Sequence, residues 1–201
     1  MEYQDIAPIM GRLWSPLAAV TTSFHGKANA QIAVAITAAS IVPDRPRVLV
    51  QIYKGNYTHQ LIRVSRAFGL NFLSLDQLHF IRDFGLVSGI NHEKLDGVEY
   101  SPGETGVPIL AGCMGYLECR VINAMDGGDM TCFLAEVVAG SANSDVAPVT
   151  WREARNLIPK EWNEAWNEKI GGEIEISRRR MSDIDYTAWA PPAARSGAQG
   201  D

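Results

Sequence analysis

Along the chain, apolar positions fall first into short alternating or continuous runs and only late into helical spacing. Residues 13–24 are rich in β-formers and close at the polar turn His25-Gly26-Lys27, after which a second apolar run occupies residues 30–36. The pair predicts a hairpin. Another strand is expected over residues 47–53, following Pro43-Asp44-Arg45-Pro46, whose two prolines favour an extended or turning backbone over helix. Asn56 is a good N-cap, and Tyr57, Leu61, Ile62 and Val64 then define a short amphipathic helix running to about Ala67. Residues 68–73 read as a further strand. Ser74 with Gln77 forms a capping box, Leu78, Ile81 and Phe84 share one helical face, and Gly85 stands where a C-terminal glycine belongs, so a helix is predicted over residues 75–84.

Between residues 85 and 106 glycines and charges dominate, which predicts loops with a short helix around His92-Glu93-Lys94 and a short strand near Val98. Two long β-rich runs follow, residues 108–123 and 130–141, joined by Asp126-Gly127-Gly128-Asp129, a strong hairpin signal. About six antiparallel strands with two inserted helices, a mainly β pattern, close most simply into a barrel. The character changes after Val149. Thr150-Trp151-Arg152-Glu153 is a capping box, and Trp151, Ala154, Ile158, Trp162, Trp166 and Ile170 recur at helical spacing, with Pro159 expected to kink or restart the helix and Gly171-Gly172 to end it. Three tryptophans on one face need a surface to cover, either the barrel or a partner subunit. Beyond Asp185 the Ala/Pro/Gly-rich end reads as a flexible tail. The predicted organisation is thus a β domain over residues 1–149 and a helical, Trp-rich extension with a tail over residues 150–201.

A length of 201 residues suits one hydrophobic core with an appendage. The net charge of -5 argues against nucleic acid as a partner. No apolar run approaches the ~18 residues of a membrane span, and the first residues lack the pattern of a signal peptide, so no membrane is expected and a cytoplasmic location is. Cys113, Cys119 and Cys132 match no common zinc or redox spacing and are expected to be reduced, buried thiols; His79 and His92 have no partners at ligand spacing, and no metal is expected.

Candidate chemistry gathers between Asn29 and His59, where two apolar strands lead into a capped helix and small hydroxyl and amide side chains collect at the turns. Backbone N–H groups, compact hydroxyls and a helix start suit a phosphate-bearing cofactor. Each residue also has a plain structural role open to it. Thr37 and Ser40 could satisfy a turn, Asn56 and Thr58 could cap the helix, Lys94 between Glu93 and Asp96 could be solvated, and His59 could pair locally. Arg178-Arg179-Arg180 reads as a solvated face, and Glu118 and Glu136 as structural carboxylates.

Taken in order, Asn29-Ala30, Thr37 and Ser40, Asn56-Tyr57-Thr58-His59, Phe68 with Asn71, Phe84-Gly85 with Ser88-Gly89 and Lys94, Pro108-Ile109-Leu110 with Leu117-Glu118-Cys119, and Gly128-Asp129 with Glu136-Val137 resemble the flavin reductase-like family of FMN-binding split barrels. The resemblance implies an antiparallel, Greek-key-like split β-barrel, a homodimer, and FMN (or FAD) near the subunit interface. It further implies that backbone around Asn29-Ala30 meets the flavin ring, that Thr37, Ser40, Thr58 and Lys94 are positioned for ring edge, ribityl chain or phosphate, that Asn56, Ser88 and Gly89 also bind the cofactor, and that His59 is the candidate catalytic side chain. The implied activity is NADH- or NADPH-dependent flavin reduction, with electrons passed to free flavin, a monooxygenase partner or another redox protein. The alternatives are a flavoredoxin-like electron carrier or a non-catalytic flavin- or ligand-binding barrel. Two positions depart from the family: Met130 stands where many members carry a histidine, and Ser88-Gly89-Ile90-Asn91 where many read Ser-Gly-Arg-Asp.

Overall fold

The computed structural model describes residues 2–13, 16–142 and 148–189. Strands β1 (Ala18–Phe24) and β2 (Lys27–Ala33) form the predicted hairpin, and β3 (Ile36–Ala38) follows β2 after only two residues, Val34 and Ala35. The chain continues through β4 (Arg47–Tyr53), β5 (Ala67–Phe72), a short pair β6 (Tyr100–Pro102) and β7 (Pro108–Leu110), and the long strands β8 (Gly115–Asp126) and β9 (Met130–Ala142). Seven of these make one antiparallel sheet in the order β2-β1-β5-β8-β9-β4-β3, while β6 and β7 pair separately. Because β2 and β3 stand at opposite ends of that order and one residue advances the chain by at most ~3.8 Å, the sheet has to curl until its two edges meet. The Gln51 N–H donates to the Ala35 carbonyl at 3.0 Å, which extends the β3–β4 ladder up to the β2–β3 junction. Irregularities in β8 at Glu118/Cys119 and Val121/Asn123 supply the bending that such curvature needs.

Helix α1 (Tyr3–Met10) precedes the sheet, α2 (Tyr57–Ser65) follows β4, and α3 (Trp151–Leu157) and α4 (Lys160–Arg180) come last. Strand period explains the core. In β1, Ala18 and Val20 face the barrel interior with Val50, Ile52, Phe68, Leu70 and Phe133, whereas Ala19 on the opposite face joins Ile32, Phe84, Leu110 and Ala154 in an outer layer. Both faces are covered, so the strand reads as a continuous apolar run. Asn71 fastens β7 to the outside of the barrel: its amide donates to Thr21 Oγ1 at 3.0 Å and accepts from the Leu110 N–H at 2.9 Å, while Thr21 donates to the Pro108 carbonyl at 2.5 Å. None of the described helices is long and apolar enough to cross a membrane.

The structure is the expected mainly β split barrel with a helical C-terminal extension, but several elements differ from their predictions. The helix predicted over residues 75–84 is a 3₁₀ turn (Leu75–Gln77) followed by a wide π-helical turn (Ile81–Leu86), in which Phe80 and Phe84 stack at 4.4 Å and Gly85 supports the Trp166 ring. The run over residues 108–123 breaks at Gly112, whose φ of +71° turns the chain before β8. The short strand expected near Val98 lies at Tyr100–Pro102, and α1 was not anticipated. Gly171-Gly172 do not end α4. They face open space, and the helix runs on to Arg180 with a Lys169–Glu173 ion pair at 3.2 Å bridging them. Of the predicted tail, Trp189 packs on the barrel: it meets Phe133 edge-on at 6.2 Å and lies under the Arg66 guanidinium at 4.6 Å. Residues 190–201, the rest of the expected tail, lie outside the described residues, as do Trp14 and Ser15 of the first predicted strand.

Glu118 is a buried structural carboxylate, accepting the backbone N–H groups of Glu104 (2.9 Å) and Thr105 and filling the space above Gly103. Removing it leaves two donors without an acceptor. Glu118→Ala is expected to lower stability by about 2–4 kcal/mol in urea denaturation, and an unchanged midpoint would contradict this role.

Candidate functional site

A cleft of about 710 Å³ opens at the seam where the two sheet edges meet. Such a volume is typical of a cofactor site. Its walls come from residues 31–35 at the β2–β3 junction, Gln51 and Tyr53 at the end of β4, the turn into α2, the π-helical turn with residues 87–89, Asp129 and Met130 from the β8–β9 turn, and one face of α4.

Local structure explains how these pieces reach the cleft. Asn56 is extended (φ −79°, ψ 138°) and its carbonyl accepts the His59 N–H at 3.1 Å, so α2 starts here; the Asn56 amide makes no capping bond and instead lines the cleft. The first N–H groups of α2 have no intrahelical acceptor, which gives the cleft the positive end of a helix. Thr58 lines the cleft and accepts from Asn29 Nδ2 at 2.7 Å. Asn29 itself is buried behind this contact, and its amide lies against Gly89, where any Cβ would fall 2.1 Å from Oδ1. Asn29 therefore sets the positions of Thr58 and Gly89, while Ser88 and Gly89 face the cleft.

Lys94 also lines the cleft. Its ammonium donates to the Ala30 carbonyl at 2.9 Å and the Phe84 carbonyl at 2.7 Å, linking β2 to the π-helical turn and leaving one of its three N–H donors. Burial, with repulsion from Lys169, pushes its pKa from 10.5 down to about 8, so it is largely charged at neutral pH. Ala30 contributes that carbonyl from a buried position. Thr37 and Ser40 lie elsewhere: Thr37 donates to the Ala38 carbonyl at 3.4 Å and Ser40 accepts the Val42 N–H at 3.1 Å on an exposed turn. His59 points into the barrel, with Nε2 2.8 Å from Thr131 Oγ1 and its ring 5.7 Å from Phe133.

Several lining residues escaped sequence reasoning. Gln31 and Gln51 were signalled only as lone amides inside apolar runs, and Val34, Ala35 and Tyr53 carried no polar mark. Gln31 is the most informative of them. It is 6% exposed, it lines the cleft, and among the described residues its Oε1 has no hydrogen-bond partner. A buried acceptor left in that state costs about 1–3 kcal/mol. Met130, where the resemblance leads to the expectation of a histidine, is on the cleft wall, whereas Ile90 is 62% exposed and off it.

A family model for the flavin reductase like domain matches residues 10–157. The chain belongs to this family. Among its relatives is the ferric-chelate reductase (NAD(P)H) of Archaeoglobus fulgidus, 32% identical over 136 residues, covering 67% of this chain and 79% of that one. The reductase component of a 4-nitrophenol 4-monooxygenase/4-nitrocatechol 2-monooxygenase from Rhodococcus opacus is 31% identical, covering 72% and 75%. Some family relatives are longer: the chain spans about half (52%) of the high molecular weight rubredoxin of Moorella thermoacetica. The solved structure of the NADH:FAD oxidoreductase SgcE6 from Streptomyces globisporus C-1027 is similar with a TM-score of 0.65 and 25% identity, covering 73% of this chain and 87% of that one. The match to the family model ends where α3 ends, so the cleft wall contributed by α4 lies beyond it.

Burial, with the charges of Arg63 and Lys54, pushes the His59 pKa from 6.5 down to about 4. The folded state thus takes up its proton at lower pH than the unfolded chain, and this contribution to stability is complete above pH 6.5 and lost as pH falls through about 4. The loss amounts to about 3 kcal/mol at ~1.4 kcal/mol per pH unit. His59→Gln, which keeps a partner for Thr131, is expected to remove that part of the decline between pH 7 and pH 4 in denaturant titrations. Parallel curves for the two proteins would contradict it.

Proposed function

We propose that the protein is an NAD(P)H-dependent flavin reductase whose flavin, FMN or FAD, occupies the cleft at the barrel seam. The observation that carries this reading is the chemistry of the cleft walls in a member of this family. Gln31 offers a buried acceptor that matches an N–H donor on a flavin's pyrimidine edge. Residues 32–35 and Tyr53 offer an apolar surface, and the α2 N-terminus with Asn56, Thr58 and Lys94 suits a phosphate. When bound, the flavin supplies the two-electron chemistry between nicotinamide and acceptor; the protein binds it, orients it and excludes water. Asn29, Ala30, Ser88 and Gly89 hold those groups in place.

We read the working form as a homodimer. Thr37 and Ser40 sit beside Ile41 and Val42, which are 99% and 45% exposed, so this turn would serve a flavin from across a subunit interface. Relatives that are reductase components make a monooxygenase a natural consumer of the electrons. A cytoplasmic location agrees with free thiols at Cys113, Cys119 and Cys132. A second reading, a flavoredoxin-like carrier reduced by another redox protein, is favoured by Met130, an apolar side chain at the position where many family members have histidine.

Protein incubated with FMN is expected to emerge from gel filtration yellow, and anaerobic NADH or NADPH to bleach it rapidly. Bleaching only through a redox protein would transfer the assignment to the carrier, and a protein that stays colourless in excess FMN would overturn both. Gln31→Leu removes the orphaned acceptor and is expected to leave the apoprotein at least as stable while weakening FMN binding about tenfold, the equivalent of 1.4 kcal/mol. Equal FMN affinity by fluorescence titration would remove Gln31 from the site.

A further inference from the structure

Helix α4 has 21 residues and buries none of them completely, yet it does not stand free. At its start Trp162 and Trp166 join the outer core layer; the Trp166 ring fills a notch over Gly85, where a Cβ would come within 2.3 Å of it, and packs on Trp151 at 4.7 Å. Arg155 of α3 donates to Asn163 at 2.8 Å and Asn167 at 2.9 Å, tying the two helices together. At its far end the backbone of Arg180 and Met181 lies against Gly128 in the β8–β9 turn, and the chain beyond returns to seat Trp189 on Phe133. The helix is therefore held at both ends and bridges the cleft between them.

What faces the cleft along this bridge is a single helical stripe. Trp166, Ile170, Ile174, Ser177 and Met181 line it at successive spacings of three or four residues, with Glu173 beside Ile174. From first to last the stripe spans about 22 Å at 1.5 Å per residue. Ile174 and Met181 remain 46% and 52% exposed although they sit on the inward face. Apolar side chains turned toward a cleft and left half uncovered are what a flat apolar ligand would cover. Two of the cationic groups at the cleft, Lys169 and Arg178, belong to the same helix.

We propose that α4 is the outer wall of the flavin site, with Ile170 and Ile174 covering the bound flavin so that it is retained as a resident group and not exchanged as a diffusing substrate. This rests on the reading of the cleft as a flavin site. It adds binding residues that lie beyond the part of the chain matched to the family. It also gives Trp166 a role as the latch that holds α4 over the cleft, and gives Gly85 the reason for having no side chain.

The test measures the FMN dissociation rate by recovery of free-flavin fluorescence after dilution of the loaded, full-length protein. Wild type is expected to keep its FMN through gel filtration. The double variant Ile170→Ser/Ile174→Ser, altered at positions no core cluster depends on, is expected to release FMN at least tenfold faster with unchanged far-UV circular dichroism and unchanged apoprotein melting. Trp166→Ala should also speed release, by freeing the helix, together with a lowered apoprotein melting temperature from its lost packing. Equal release rates in the double variant, with wild type loaded normally, would overturn the covering role. A double variant that changes the sedimentation behaviour of the protein but not the release rate would also overturn it, since the stripe would then be a contact for a second copy. If wild type takes up no FMN, it is the flavin site itself that fails.

Discussion

Two residues, Val34 and Ala35, link strands that lie at opposite ends of a seven-stranded sheet, and most of this structure follows from that constraint. A flat sheet of that order would separate its edge strands by roughly 28 Å, six spacings of ~4.7 Å, which no two-residue link can span. The sheet must curl, the edges must meet, and the junction itself becomes a seam. No ladder joins β2 to β3 among the described strands: the Gln51–Ala35 hydrogen bond only continues the β3–β4 ladder to the junction, and residues 31–35 line the cleft. The site is thus a consequence of closure. Backbone and side-chain groups that would be paired in a continuous sheet are left to face a ligand.

The second dependence runs through the π-helical turn. A wide turn does not use its carbonyls in the regular helical way, and the Phe84 carbonyl accepts the Lys94 ammonium together with the Ala30 carbonyl from the barrel. One charged side chain so joins the barrel wall to the segment that carries Ser88 and Gly89. On the other side of the same turn Gly85 receives Trp166, and through it α3 and α4. The C-terminal extension, the turn and the barrel edge form one connected set of contacts around the cleft.

The titratable groups fit a protein whose redox chemistry resides in a bound cofactor. Burial holds His59 neutral inside the barrel and pushes the thiols of Cys113 and Cys119 up to about 11 and about 12, so neither thiol supplies a thiolate at neutral pH. Lys94, although burial and Lys169 push its pKa down to about 8, stays largely charged at neutral pH and donates to two carbonyls at the cleft. Charge is present where a phosphate would sit and is suppressed in the core, a division of labour suited to binding and orienting a flavin.

Much of the architecture was legible in the residues. Alternating apolar runs, the Asp126-Gly127-Gly128-Asp129 turn and the capping boxes at Ser74 and Thr150 act within a few residues of one another, and local geometry determines their outcome. The ordered motifs sufficed for the family and the split barrel. What the sequence could not decide was which side chains share the cleft. The Asn29 side chain is a buried support for Thr58, and Gln31 and Tyr53, which looked like ordinary strand positions, stand on the wall. The direction of each depends on how the sheet closes, a contact between strands far apart in order. Gly171-Gly172 looked like a helix end for a related reason: glycine weakens a helix by about 1 kcal/mol per residue, and α4 outlasts that cost because its two ends are held at Gly85 and Gly128, far earlier in the chain. Local propensity and spacing determined the elements; only tertiary closure determined the site, because it alone brings the two edges of the sheet and the last helix to one place.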